Sequence, residues 1–310
     1  MKVVIESAHF DQSGGGNIAL QLARAFSRFT DVYIRGKLRN IEFLSGVSRL
    51  SFKSFDETFQ PDLYLSISYQ QQLEPIGRVN ACWCFFPRAK VSGGYDYALC
   101  QSEFVEDWEK RRWGFETFRL NPSVDLERFE IKTKENILLS VGNFIWDEDQ
   151  NSKNQHFIID WFNKSGLWQT QKLILCGFAC SPEYYTQIVS QALKSRNVYV
   201  INAVSFTVLR DLYARSSYLI HAMGYSKTDP SQVEHFGIVV LEALASGCQP
   251  LVHDSGGSRE IRGVKLWKEF SEIKLQETNP AFLRTCAQEY SFEKMCSRVQ
   301  EFVVLVEKKL

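Results

Sequence analysis

Residues 234–261 read EHFGIVVLEALASGCQPLVHDSGGSREI, and this stretch decides the fold. Gly237 opens a helix, Gly247 ends it, and the residues between are apolar nearly all round. A helix without a polar face is buried on most sides. Glu242 sits in its middle, where an ionised carboxylate is costly unless something hydrogen-bonds to it, and a ligand carrying hydroxyls would do so. The backbone at the helix start, around Gly237, Ile238 and Val239, offers free N–H donors and the positive end of the helix dipole, an anion site, and Phe236 just before it is a further donor-binding candidate. Glu242 lies about 7–8 Å further along the axis. Glu234 stands just before the helix, on the other side of those amides. A diphosphate held there would have one carboxylate on its ribose side and the other on its sugar side.

Outward from this segment, short apolar runs alternate with longer helical patterns, which indicates parallel sheets with crossover helices. Towards the N-terminus, KVVIES (2–7), DVYIRG (31–36), DLYLSIS (62–68), ACWCFFP (81–87) and YALCQS (97–102) are strand candidates. A loop, AHFDQSGGGN (8–17), follows the first strand and leads into the helix IALQLARAFSRF (18–29). EFVEDWEKRRWGF (103–115) is amphipathic and predicts a helix. A second cycle begins near residue 136, with NILLSVGNF, KLILCG, VYVIN, SYLIHAM and QPLVHD as strands. The fold class expected is α/β, with two doubly wound Rossmann-like domains. Residues 1–130 form the first, 131–290 the second, and a final helix, 291–310, is expected to pack back on the first. The charged, non-periodic ERFEIKTKE (127–135) reads as the linker.

Composition narrows the function. Lys plus Arg and Asp plus Glu number 36 each, so there is no basic surplus and nucleic acid is not expected as a partner. The opening residues MKVVIESAHF read as a core strand rather than an export signal, and no run approaches the ~20 apolar residues of a membrane span. The eight cysteines are scattered, mostly within apolar runs, and no Cys-x-x-Cys pair is present. A cytoplasmic protein with neither disulfides nor a structural metal is expected. EKRRW (109–113) is a candidate for peripheral contact with an anionic membrane or acceptor, although such a run is more often the solvated face of an amphipathic helix. DED at 147–149 resembles an Asp-x-Asp metal site but lies in a polar stretch that reads as a solvated loop.

The stretch at 234–261 resembles the donor segment of the family 4 retaining glycosyltransferases, whose Glu–seven residues–Glu motif corresponds to Glu234 and Glu242. LNPSVDLERF (120–129) looks like the family's Val-Asp segment before the linker. LLSVGNF (138–144) with KNQHFIIDWF (153–162) looks like the segment carrying its phosphate-binding cation. LYARSSYLIHAMGY (212–225) and SGGSREI (255–261) resemble the strand feeding the donor loop and the turn after it. In the first domain only the glycine loop and the CWCFFP…YDYALCQSEF region are suggestive.

The resemblance implies a GT-B fold, two domains facing a central cleft. It also implies transfer of a hexose-type sugar from a UDP- or GDP-sugar, with retention and without metal or other cofactor. The acceptor would be a saccharide, glycolipid or protein glycan. On this reading Glu242 binds ribose hydroxyls and Glu234 contacts the transferred sugar. Lys153 sits on the diphosphate and stabilises the charge growing on the leaving group. Backbone near Val204 contacts the base, and Gly14, Gly15 and Gly16 allow close approach of phosphate or acceptor.

The chain departs from the family in two places. Asn143 stands where the family usually has Arg, which halves the expected pair of cations unless Arg259 or another cation compensates. The first domain lacks the family's usual His near the sugar, a place that His9 could take. The alternatives are a sugar-nucleotide-binding module with little turnover, or an epimerase or hydrolase on the same fold. A nicotinamide-dependent oxidoreductase is disfavoured because GGGN lacks the dinucleotide glycine spacing.

Overall fold

The computed structural model describes residues 1–10, 14–38, 52–56, 58–68, 73–85, 93–112, 115–146 and 152–310. The chain divides into two compact units, one of Met1–Ser123 with Tyr290–Leu310, the other of Val124–Glu289. Each is built on a wholly parallel sheet.

In the first unit the strands are β1 (Lys2–Phe10), β2 (Asp31–Leu38), β3 (Phe52–Ser54), β4 (Leu63–Ile67), β5 (Val79–Cys84), β6 (Tyr97–Cys100) and β7 (Glu116–Arg119). They lie in the order β3-β2-β1-β4-β5-β6-β7. Consecutive Val3, Val4 and Ile5 are all fully buried, as befits a central parallel strand covered on both faces. Helices α1 (Gly14–Phe26) and α2 (Glu103–Arg112) belong to this unit, as does the last helix of the chain, Phe292–Lys309. That last helix buries Phe302 edge-on against Phe26 of α1 and against Tyr97. Its ends are tied by Arg28–Glu293 at 2.6 Å and Lys309–Asp96 at 2.9 Å.

The second unit has strands β8 (Glu135–Val141), β9 (Lys172–Gly177), β10 (Val198–Asn202), β11 (Ser216–His221), β12 (Gln249–His253) and β13 (Lys265–Trp267), in the order β10-β9-β8-β11-β12-β13. Its helices are α3 (Gln155–Lys164), α4 (Pro182–Leu193), α5 (Phe206–Arg215), α6 (Ile238–Ala245) and α7 (Pro280–Gln288); the last helix of the chain is then α8. In both sheets the strand order reverses beside the first strand, at β1/β4 and at β8/β11. Such a switch point leaves a crevice at the carboxyl ends of the two strands, where open α/β sheets bind their ligands. The expected α/β fold, two doubly wound parallel sheets of the GT-B class, is present.

Several local expectations need correction. Residues 8–17 are not one loop: β1 runs on through Phe10, and Gly14–Gly16 form the first turn of α1. Edge strands β3, β7 and β13 were not expected, because three or four residues carry no readable period. Residues 124–130, assigned to the first domain on sequence, sit in the second unit. Phe129 there packs edge-on against Phe206 and Tyr213, and Arg284 donates to the carbonyls of Leu126 and Phe129.

The charges read as a solvated linker have specific partners. Lys132 pairs with Asp211 at 2.9 Å. Lys134 points inward and donates to the carbonyls of Ala214 and Ser246, each at 2.7 Å, and of Tyr213 at 3.3 Å. It thereby closes the C-terminal ends of α5 and α6 together, the negative ends of both helix dipoles. Burial draws its pKa down to about 8, which leaves it charged at neutral pH. We expect Lys134→Met to lower unfolding free energy by roughly 2–4 kcal/mol, because three carbonyls lose one charged donor. Urea titration at pH 7 reads this directly, and a loss under about 0.5 kcal/mol would show that water replaces the lysine.

Candidate functional site

Helix α6 is held as the sequence requires. Its N-cap, Gly237, has φ +95°, a conformation that L side chains rarely adopt. Val240, Leu241, Ala243, Leu244 and Ala245 are fully buried, while Ile238 and Val239 of the first turn stay half-exposed. At the far end, Lys134 takes the Ser246 carbonyl and Arg284 takes the Ala245 carbonyl at 2.6 Å. Both cations sit where the dipole is negative, so the end left for an anion is the half-exposed first turn.

Glu234 lies at the mouth of this helix and at the switch point of the sheet. His221 is the last residue of β11, and Gly142 and Asn143 follow β8, the strand beside it. Lys153 Nζ is 2.7 Å from Glu234 Oε2 and 2.8 Å from Met223 Sδ. His221 Nε2 is 3.0 Å from the same carboxylate oxygen. Two glycines make the meeting possible. A Cβ on Gly142 would lie 2.7 Å from Lys153 Cγ, and one on Gly256, where φ is +65°, would overlap the Glu234 carbonyl oxygen. That oxygen accepts from Gly257 N–H at 2.8 Å, which fixes the main chain of the acid from the SGGSREI turn.

Burial alone would push the Glu234 carboxyl up, but Lys153 and His221 overcome it and hold the group well below the usual carboxylate range. Glu234 is therefore ionised at neutral pH, and since a carboxylate only accepts, His221 Nε2 must carry the proton between them.

Glu242 is a different acid. Burial pushes its pKa up to about 7 against the pull of one hydrogen bond, from the Tyr213 hydroxyl at 3.0 Å. Tyr213 is itself fully buried on α5. Thus two carboxylates of one motif have opposite environments: one is paired and permanently charged, the other is poised near neutrality.

The remaining sequence candidates fall into three groups. Lys153, Asn143 and Val204 all lie at the carboxyl edge of the second sheet. Val204 follows Ala203, whose φ is +53° and whose N–H donates to the Gly177 carbonyl at the end of β9. The Asn143 side-chain oxygen accepts, at 3.4 Å, from the backbone N–H of Phe178, so here it ties the β8 and β9 loops together. Arg259 pairs with Asp254 at 3.2 Å.

Phe236 is a second group by itself. It is buried, which confines its part in any anion site to its backbone. The third group lies in or beyond the first unit: Gly14–Gly16 open α1 there, while the side chain of His9 and residues 147–149 lie outside the described residues. In the EKRRW stretch, Lys110 pairs with Glu106 and Arg111 lies over Trp108. Among the described residues no helix is long and apolar enough to cross a membrane.

Sequence reading passed over His221, Tyr213 and Phe178. For His221, a polar residue ending the buried strand YLIH directly before the donor-like loop is the available signal. Phe178 is 58% exposed at the end of β9, an unusual place for a bare ring.

Residues 124–264, beginning at the first residue of the second unit, match the family model described as glycosyl transferases group 1. The match covers most of the second unit, which is thus similar to the glycosyl transferases of group 1. Solved glycosyltransferase structures share the whole fold. Anabaena HepE, crystallised in complex with UDP and glucose, is 12% identical with a TM-score of 0.74, over 98% of this chain and 99% of that one. A glycosyltransferase from Rickettsia africae has the same identity and TM-score, over 99% and 98%. Sucrose-phosphate synthase from Thermosynechococcus elongatus is 13% identical with a TM-score of 0.66, over 100% of both. No curated protein matches the chain. Within the matched residues, Lys153 and Glu234 join a cation and an acid from segments 81 residues apart.

Proposed function

We propose that the protein is a retaining glycosyltransferase of family 4 that moves a hexose-type sugar from a UDP- or GDP-sugar to a saccharide or glycoconjugate acceptor. The observation that carries this reading is the Lys153–Glu234 pair, set beside the start of α6 at the switch point of the second sheet. The first turn of α6 and Lys153 take the diphosphate. Glu234 accepts from hydroxyls of the transferred sugar, and Glu242 from those of the ribose. Base contacts fall to the backbone around Val204. As the bond to the donor sugar breaks, negative charge grows on the diphosphate, and the Lys153 ammonium is preplaced to receive it. The acceptor's proton then passes to the leaving phosphate, so no side chain need serve as base.

The group 1 match and the UDP complex of HepE support a nucleotide-sugar donor. A thermal-shift series with UDP-, GDP- and ADP-glucose and -mannose tests it, followed by NMR of the product anomer. We expect one base to raise Tm by several degrees, and product of the donor's own anomeric configuration, at a rate unchanged by EDTA. An inverted product, or a rate that EDTA abolishes, would overturn the mechanism, and no shift with any nucleotide sugar would overturn the donor site.

One observation favours a second reading, a donor-binding module without turnover. The Asn143 side chain carries no charge and is engaged with Phe178, so one cation faces the diphosphate from the β8 side. Binding without transfer or hydrolysis, whatever acceptor is offered, would establish it.

A further inference from the structure

We infer that His221 is a positioning residue that holds Glu234 in its donor-facing orientation once Lys153 turns to the diphosphate. This rests on the donor-site reading above and adds to it the part played by a group that no ligand can reach. His221 is 3% exposed, and its Nε2 lies 3.0 Å from Glu234 Oε2. Lys153 and His221 donate to that one oxygen. The two donors differ in kind. Lys153 ends a flexible four-carbon stem, and among the described residues its Nζ makes polar contacts with Met223 Sδ and Glu234, so it can swing towards a phosphate. The imidazole of His221 hangs by one short linkage from the end of a buried strand flanked by β8 and β12 and cannot follow.

A diphosphate that recruits the ammonium would leave Glu234 buried and short of a donor, the condition in which a carboxylate either takes a proton or turns away. The fixed Nε2–H prevents both. Glu234 then keeps a fixed donor wherever Lys153 points, which allows one site to bind an anion and present an acid at the same time.

The alternative is that His221 merely neutralises a buried acid for stability. Amide side chains separate the two, because Gln places its N–H near the Nε2 position and Asn places it near Nδ1. We expect His221→Gln to keep turnover within about fivefold of wild type, and His221→Asn to lower kcat roughly 10- to 100-fold. That is the loss of one hydrogen bond to a charged group. UDP or GDP affinity should change less than threefold in both, and both should stay folded by thermal melt. Equal rates for the two variants at saturating donor would overturn the inference, as would a fall in nucleotide affinity matching the fall in kcat. Should His221→Asn fail to fold, wild-type rate in His221→Leu or loss of rate in His221→Gln would overturn it alone. If the wild-type protein shows no binding of any nucleotide, the donor-site reading fails first and takes this inference with it.

Discussion

Glu242→Gln makes the protein more stable and a poorer binder of nucleotide, and both effects grow with pH. Burial raises the Glu242 pKa from 4.5 to about 7. A carboxyl whose folded pKa is raised costs nothing below its unfolded value, because both states hold the proton. The cost appears as pH rises from about 4.5 and is complete above about 7, where the folded protein must ionise a buried acid. The shift corresponds to an order-of-magnitude cost of about 3 kcal/mol. Glutamine keeps the acceptor for Tyr213 and removes the charge, so at pH 8–9 the variant should gain up to about that amount, with the gap closing towards pH 5.

Nucleotide affinity moves the other way. On the proposed reading ribose hydroxyls donate best to the ionised form, so the wild-type protein should bind nucleotide more weakly as pH falls below about 7, by up to tenfold per pH unit, with proton release on binding. The variant should bind weakly at every pH. Thermal melts across pH 5–9, with and without nucleotide, measure both. A variant no more stable at pH 9 than at pH 5, relative to wild type, would place the Glu242 proton elsewhere.

Lys153→Met should have the largest effect on catalysis. Loss of the cation beside a leaving diphosphate lowers kcat by about 10²–10³-fold. The same change leaves Glu234 buried with His221 alone. Removing one member of a buried pair costs up to about 3–5 kcal/mol, and the side chains here are 25% and 16% exposed, so the lower part of that range is expected. The pH dependence follows from the direction of the Glu234 shift. A carboxyl held below its unfolded pKa contributes stability at all pH above about 4.5, and loses it as pH falls towards the folded value. In Lys153→Met that contribution shrinks, and the acid side of the stability profile should flatten. Adding Glu234→Gln should restore much of the stability but none of the rate. Recovery of rate in the double variant would remove Lys153 from the chemistry.

The helix at 238–245 was legible because its apolar residues run between two glycines, whose backbone angles of φ +95° and +66° are ones that glycine readily adopts. The strands of both sheets were legible where they are buried on both faces, and lost where they shorten to three or four residues at an edge. Glu234 and Glu242 could be paired on one local segment. That their pKa values would shift in opposite directions could not, since this depends on Lys153 and His221 for one and on burial beside Tyr213 for the other. Those partners arrive through the adjacency of β8 and β11 and the packing of α5, which periodicity does not encode. Lys134 shows the same limit from the other side. Among the charges of 127–135 it looked like solvated linker, yet it is an internal donor to two helix ends.

Pinned at its rear by Lys134 and Arg284, helix α6 stands as a fixed post. If the proposed donor site is right, an incoming diphosphate would meet main chain that does not recoil, and adjustment would fall on long side chains, Lys153 foremost. Selectivity there would then be steric before it is adaptive: phosphates misplaced by an ångström would find the amides where they were.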